Sequence, residues 1–338
     1  MERPRLERKG VPDQVDCRAV AISMDKDAKI FVAGHKGLVG SAVTRELIRE
    51  GYNHLCLRTH EELDLTRQQA VDDFFATEKP EYVFLCAAKV GGILANSTYS
   101  AQFIYENLII GANIIHASFK TGVKKLLNLG SSCIYPKNAA QPLKEVDFLT
   151  GKLEPTNEPY AVAKIAAIIL CRSYNKQYGT NFVSAMPANL YGPHDNFNLE
   201  TAHVLPTLLR KFHEAKIAAS SSVEIWGTGR PVREFLYVED LARALVYIMQ
   251  YHEANAIGDF INIGTGRGIT IKALGDLIAD IVGFNGDIRF DPDKPDGMAE
   301  KILDTERMNR LGWKASTVLE EGIRMTYRWY LEEYPGPA

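Results

Sequence analysis

From Lys29 to Met186 the chain alternates two kinds of hydrophobic pattern. Short runs with little polar interruption (KIFVA, HLCLR, YVFLCAA, KLLNLG and FVSAMP) have the length and composition of strands. Between them, over 41–50, 67–78, 99–121 and 159–178, apolar residues return every three or four positions, the spacing of one helix face. Strands apolar throughout, each followed by a helix, predict a parallel sheet covered by helices on both faces. After Tyr191 the alternation loosens. GPHDNFNLE reads as a polar loop, HVLPTLLRKFHEAK as a helix, and VEIWGTGRPVREFLYVEDLARALVYIM as strand, loop and helix. DPDKPDG is a surface loop, and a last amphipathic helix is predicted over about 317–333.

This pattern predicts an α/β protein: a doubly wound parallel sheet over 24–190 and a smaller, mixed α/β substrate-binding domain over 191–334, part of which crosses back to the first. Residues 1–23 hold five basic and four acidic side chains without the apolar stretch of a secretory signal, and are expected to form a disordered arm. Composition narrows the partners. The chain has 338 residues, 46% hydrophobic and 24% charged, with a net charge of −3, which gives no reason to expect nucleic acid or an anionic membrane as partner. No apolar run reaches the roughly 18 residues of a membrane helix. Five scattered cysteines (Cys17, Cys56, Cys86, Cys133, Cys171) form no Cys-x-x-Cys pair, so neither a disulfide framework nor a metal site is expected. A reducing, cytoplasmic setting fits them.

Chemistry enters at GHKGLVG, where Gly34, Gly37 and Gly40 lie between a predicted strand and helix. Glycines there permit a tight turn and close approach of a diphosphate to the helix N-terminus, which predicts a Rossmann-type dinucleotide site. The second strand ends in CLRTH. Arg58 and His60, with Lys36 from the glycine turn, suit a ribose 2′-phosphate and favour NADPH over NADH, although Glu61 and Glu62 follow closely.

EPYAVAKIAA sets Tyr160 and Lys164 four apart, on one helix face. An ammonium beside a phenol is expected to draw it toward phenolate and so toward acid–base work near neutrality. In GSSCIYPK, Ser131 and Cys133 sit where the fourth strand ends. Ser131, Tyr160 and Lys164 are expected to meet beside a nicotinamide.

On these residues the chain resembles the extended short-chain dehydrogenase/reductases that act on nucleotide sugars, and among them the GDP-L-fucose synthases, which join a 3,5-epimerase to a 4-reductase. The likeness runs from about Lys29 to Tyr334 and is carried by AAKVGGI, GSSCIYPK, EPTNEPYAVAKIA, NLYGPHDNF, HVLPTLLRKFHEAK, VEIWGTGRPVREFLYVEDLA and KPDG. It implies GDP-4-keto-6-deoxy-D-mannose as substrate, NADPH/NADP+ as cofactor, and a homodimer through the helices near 99–121 and 159–178.

A ketone at C4 acidifies the hydrogens at C3 and C5, and inversion there needs a base on one face and an acid on the other. The resemblance assigns these roles to Cys133 and His203; His194 is the rival acid. A thiol becomes a suitable base when a nearby cation lowers its pKa. Ser131 and Tyr160 are assigned to the C4 oxygen, and Lys164 to the nicotinamide ribose and to Tyr160. Implied cofactor contacts are Gly34, His35, Lys36, Gly37, Leu38, Val39 and Gly40; Arg58; Leu129, Gly130, Ser131 and Ser132; Lys164; Pro187, Ala188, Asn189 and Leu190; and His203. Lys211, Trp226, Arg233 and Asp296 are implied to hold the GDP-sugar. Some relatives carry arginine where this chain has His60, which leaves more of the 2′-phosphate to Lys36 and Arg58.

Two rival readings share the scaffold. Another nucleotide-sugar epimerase or dehydratase is one, although dehydratases place carboxylates where SSCIY has none. A non-catalytic NADPH-binding regulator is the other.

Overall fold

The computed structural model describes residues 24–294 and 296–334; the arm expected over 1–23 lies outside them. The first part contains β1 (Ile30–Ala33), α1 (Leu38–Arg49), β2 (Leu55–Cys56), α2 (Gln68–Glu78), β3 (Tyr82–Leu85), α3 (Ile93–Thr98), α4 (Ser100–Lys120), β4 (Lys125–Leu129), α5 (Glu158–Tyr178) and β5 (Phe182–Pro187). There follow β6 (Asn189–Tyr191), α6 (Val204–Ile217), β7 (Ser222–Trp226), β8 (Val232–Tyr237), α7 (Val238–Tyr251), α8 (Ala254–Ile257) and β9 (Ile261–Ile263). The chain ends through β10 (Gly268–Thr270), α9 (Ile271–Val282), β11 (Asp287–Asp291), β12 (Glu300–Lys301), α10 (Glu306–Arg310) and α11 (Leu319–Glu333).

The main sheet runs β2-β1-β3-β4-β5-β9, parallel throughout. Its strands are apolar on both faces because both faces are covered. Ile30, Val32, Phe84 and Leu127 join a core with Val43 and Leu47 of α1 and Leu241 and Leu245 of α7. The alternate residues Phe31, Ala33, Val83 and Leu85 join an opposite core with Phe75 of α2, Ile114 of α4 and Ala167 of α5. Period-two alternation thus distributes one continuous apolar run between two cores. The order reverses between β1 and β3, which opens a crevice at the strand carboxyl ends. β2 is shorter than HLCLR predicts: only Leu55 and Cys56 pair with β1, so Arg58 and His60 stand beyond the ladder at the crevice edge.

The chain returns to this sheet after building its second part. β9 closes one edge, and α7 packs on α1. The buried Lys125 ammonium caps α7 by donating to the carbonyls of Ile248, Met249 and His252 at 2.8, 3.0 and 2.6 Å.

In the second part β8 is flanked by β10 and β12 and also pairs with β6, while β7 pairs with β11. Leu209 and Phe212 of α6, Leu274 and Ile278 of α9 and Ile323 of α11 form its separate core. Glu234 of β8, 1% exposed, organises the junction. Its Oε1 accepts the amides of Thr265 and Gly266, and its Oε2 accepts the Leu303 amide at 2.7 Å. Glu234→Gln turns an N–H₂ toward amide donors and is expected to destabilise the fold by roughly 2–4 kcal/mol, as buried unpaired donors do. A fall of roughly 5–10 °C in the midpoint of thermal unfolding, followed by circular dichroism, is the expected result.

Candidate active site

One continuous cleft of about 1520 Å³ runs along the carboxyl ends of the main sheet and under the second part. At the cofactor end, Gly34 turns the chain at φ +84°, and a Cβ there would lie 2.9 Å from the Ala87 backbone. A Cβ on Gly40 would lie 2.0 Å from the Gly34 carbonyl oxygen, so only glycine lets helix and strand approach this closely. α1 starts from Gly37 with no side-chain cap, which leaves its first amides open to an anion. This cradle fits a dinucleotide diphosphate.

Gly34, Gly37, Leu38, Val39 and Gly40 line the cleft, and His35 and Lys36 belong to the turn between them. Beyond the Gly34 turn Lys36 is exposed to solvent. Burial and the Lys36 charge hold the His35 imidazole below its usual range, and its Nδ1 has no hydrogen-bond partner among the described residues. Arg58 and His60 do line the cleft. Arg58 is held there by Glu78 at 2.6 Å and the Leu57 carbonyl at 2.9 Å, which neutralises part of its charge. Glu62 is turned to its own loop, accepting the Thr59 amide at 2.7 Å.

At the centre, β4 ends at Leu129 and the chain enters a short 3-10 turn, 132–134, capped by Ser131, whose Oγ accepts the Cys133 amide at 3.4 Å. α5 opens with Glu158 and Pro159, suited to a helix start, and brings Tyr160 and Lys164 to the same place. Lys164 donates to the Leu129 carbonyl at 2.8 Å, and its Nζ lies 5.8 Å from the centre of the Tyr160 ring. Tyr160 packs edge-on to Phe103 at 6.3 Å, and the Ser131 side chain lies close enough to act on its phenol. Leu129, Gly130, Ser131, Ser132, Cys133, Tyr160, Lys164, Pro187, Ala188, Asn189, Leu190 and His203 all line the cleft.

The electrostatics correct two expectations. Burial pushes the Tyr160 phenol up, Cys133 adds to this, and only the Ser131 hydrogen bond opposes it. Tyr160 is therefore a neutral phenol, a donor of a proton rather than a phenolate. Burial also pushes the Cys133 thiol up; Lys301, the Ser131 hydrogen bond and Lys164 draw it back only in part. Lys164 itself is pushed down to about 8 by burial. His203 immediately precedes α6, and loss of water in the cleft followed by the Lys301 charge holds its imidazole below the usual range. His194 also lines the cleft, but its ring lies 5.0 Å from that of Trp329 and senses Arg45, Glu333 and Glu239 rather than Lys301. His203 thus shares a charged neighbour with Cys133, and His194 does not.

At the far end, Trp226 is 46% exposed, with the Lys211 and Lys294 ammonium groups 5.7 and 5.4 Å from the centre of its ring. Arg233 donates to the Asp296 carbonyl at 3.0 Å. The Asp296 carboxylate is committed to the Thr228 amide and hydroxyl, both at 2.7 Å, so it shapes the turn at Gly227 more than it offers an acceptor. Sequence reasoning quoted KPDG without singling out its Lys294, and it missed Lys301, which no spacing marks. It also missed Asn96, Thr156, Asn157 and Asp195, which line the cleft with side-chain oxygens that lack a partner among the described residues. Among those residues no cluster of His, Cys, Asp and Glu suits a metal ion, and no helix is long and apolar enough to cross a membrane.

Lys164 provides a stability test. Its folded pKa of about 8 lies below the ordinary lysine value of 10.5, so the unfolded chain binds more protons between those values and stability rises with pH across that window. Lys164→Met removes the charge from its dry site. Without added cofactor it is expected to stabilise the fold at pH 7 by about 1–3 kcal/mol and to flatten the pH dependence, as urea unfolding at pH 7 and 10 would register.

Comparison with known proteins agrees with this geometry. Residues 30–264 match the NAD dependent epimerase/dehydratase family. The chain is 53% identical over 313 residues to GDP-L-fucose synthase 1 of Arabidopsis thaliana, covering 93% of this chain and 96% of the relative. Among solved structures it is similar to a GDP-L-fucose synthetase of Naegleria fowleri bound to NADP, with TM-score 0.85 and 30% identity over 93% of this chain and 97% of that one. It is also similar to a GDP-mannoheptose C4 reductase of Campylobacter jejuni with NADP bound, with TM-score 0.83 and 44% identity over 91% and 99% of the two chains. With a glycine cradle, a Ser–Tyr–Lys centre and these relatives, the chain belongs to the NAD dependent epimerase/dehydratase family, on the branch of the GDP-L-fucose synthases.

Proposed function

We propose that this chain converts GDP-4-keto-6-deoxy-D-mannose to GDP-L-fucose by inverting C3 and C5 and then reducing C4 with NADPH. The observation that carries the reading is the meeting of Ser131, Cys133, Tyr160, Lys164 and His203 on one cleft, beside a cradle that only glycine permits. Gly34, Gly37 and Gly40 hold the diphosphate of the cofactor, and Lys164 its ribose. When bound, NADPH supplies the hydride that reduces C4.

The side chains do the rest. Cys133, as thiolate, takes the proton from C3 or C5, and the electrons of the broken C–H bond move to the C4 oxygen. Ser131 and the neutral Tyr160 phenol donate to that oxygen, where the negative charge gathers. His203 returns a proton on the opposite face; the enolate charge beside it favours the imidazolium it needs. In the reduction Tyr160 releases its proton to the same oxygen. Lys211, Lys294 and Arg233 offer cations to the GDP diphosphate, and Trp226 offers an apolar face. A cytoplasmic setting and a homodimer through α4 and α5 belong to this reading. The exposed Tyr105 and Tyr178 on those helices support the dimer, and the four cysteines unpaired among the described residues support a reducing compartment.

The likeness to a C4 reductase favours a second reading, reduction without epimerisation. Incubation with the ketosugar in deuterated water separates the two. Deuterium is expected at both C3 and C5 without NADPH, and product only with it; reduction with no label at either carbon would defeat the first reading. Cys133→Ser is expected to lower exchange by about 10²–10⁴-fold with cofactor binding retained, and Tyr160→Phe to impair reduction chiefly.

A further inference from the structure

Lys301 reaches the site from a part of the chain remote from every other reactive group. β12 sets Glu300 and Lys301 parallel to Val232 and Arg233 of β8. Both sides of Lys301 are pinned: the Val232 amide donates to the Ala299 carbonyl at 2.9 Å, and the Leu303 amide to Glu234 at 2.7 Å. Between them the Ile302 amide donates to Gln141 at 3.0 Å, and the Ile302 carbonyl accepts the Leu143 amide at 2.8 Å. That last contact binds β12 to the loop that follows Cys133. The result is a lysine held on the wall of the cleft that Cys133, Tyr160 and His203 also line.

The charged groups that face Lys301 are Cys133, Arg233, Glu234 and His203. Glu234 is the one carboxylate among them, and it is taken up by backbone amides. None of the ion pairs between described residues uses Lys301. An ammonium beside an arginine in a water-poor cleft, without a carboxylate, is unfavourable unless an anion forms next to it. Cys133 is the neighbour that becomes an anion during the reaction. The groups that face Cys133 are Ser131, Tyr160 and Lys164 in addition to Lys301. Lys164 is already tied to the Leu129 carbonyl.

We propose that Lys301 is a positioning residue for epimerisation: its ammonium, delivered by β12, is the counter-charge of the Cys133 thiolate. When Cys133 takes the substrate proton the S–H bond forms, the C–H bond breaks and the negative charge passes to the C4 oxygen; Lys301 exchanges no proton in the step, and the Cys133 charge opposes the burial that disfavours its ammonium. Lys301 also draws the thiol down more than any other group does, in agreement with this placement. The proposal rests on the reading of Cys133 as the base, but its test reads the thiol directly.

The rate of Cys133 alkylation by iodoacetamide, followed by peptide mass spectrometry from pH 6 to 10 on the full chain, reports the thiolate. Lys301→Met is expected to move the midpoint up by about one unit, which lowers alkylation at pH 7.5 about tenfold. Lys301→Arg, which keeps the charge, is expected to titrate close to the unaltered chain. Deuterium exchange by Lys301→Met is expected to fall at pH 7.5 and to recover toward pH 9.5 as the thiol ionises, which a merely structural defect would not do. NADPH binding by each variant checks the fold. An unmoved midpoint in Lys301→Met, or a Lys301→Arg variant that titrates like it, overturns the proposal. Failure of the unaltered chain on the ketosugar would instead remove the proposed substrate and leave the thiol titration to decide on Lys301.

Discussion

The hydrogen bond from the Lys164 ammonium to the Leu129 carbonyl, 2.8 Å long, joins the first turns of α5 to the end of β4. It brings together two segments about thirty residues apart in the chain, one carrying Ser131 and Cys133 and the other Tyr160. A charge-assisted bond to a carbonyl at a strand end is stronger than a neutral one, but it offsets only part of the loss of water around a buried ammonium. The depression of Lys164 to about 8 is the sign of that imbalance. On the proposed reading, this charge in a water-poor site is the cation that the chemistry uses.

The same conflict repeats at every reactive group. Burial favours the neutral form of Tyr160, Cys133, Lys164, His203 and Lys301 alike. The ammonium groups of Lys164 and Lys301 oppose it at the thiol, and the Ser131 hydroxyl opposes it at both Cys133 and Tyr160. Such a cleft holds its donors and acceptors in their neutral forms, and an oxyanion forming beside them would be the charge that they lack. On the proposed reading, inversion and reduction gather charge on the same oxygen, so one set of donors serves both.

The glycine cradle and the Tyr160–Lys164 pair were legible in the chain because both depend on local geometry. Gly40 must lack a Cβ wherever a helix leaves a strand this tightly, and residues four apart share a helix face in any context. Asp296 was read as a ligand; it lines the cleft, and there its two carboxylate oxygens also accept from Thr228. The Tyr160 phenol was expected to be drawn down by Lys164, because sequence shows the neighbouring lysine and not the burial that pushes the phenol up.

Hydrophobic period and local spacing, then, were enough for the parallel sheet, the nucleotide cradle and the Tyr160–Lys164 pair, since strand alternation, helix repeat and backbone clearance act over a few positions, whereas the roles given to Cys133 and His203 came from the family resemblance. Only the tertiary structure decided that Lys301 lines the same cleft as Cys133 and His203, that β9 returns to the first sheet, and which way each ionisable group is displaced. Those outcomes depend on distances between segments far apart in the chain and on the exclusion of water among them, and neither can be read from residues taken in order.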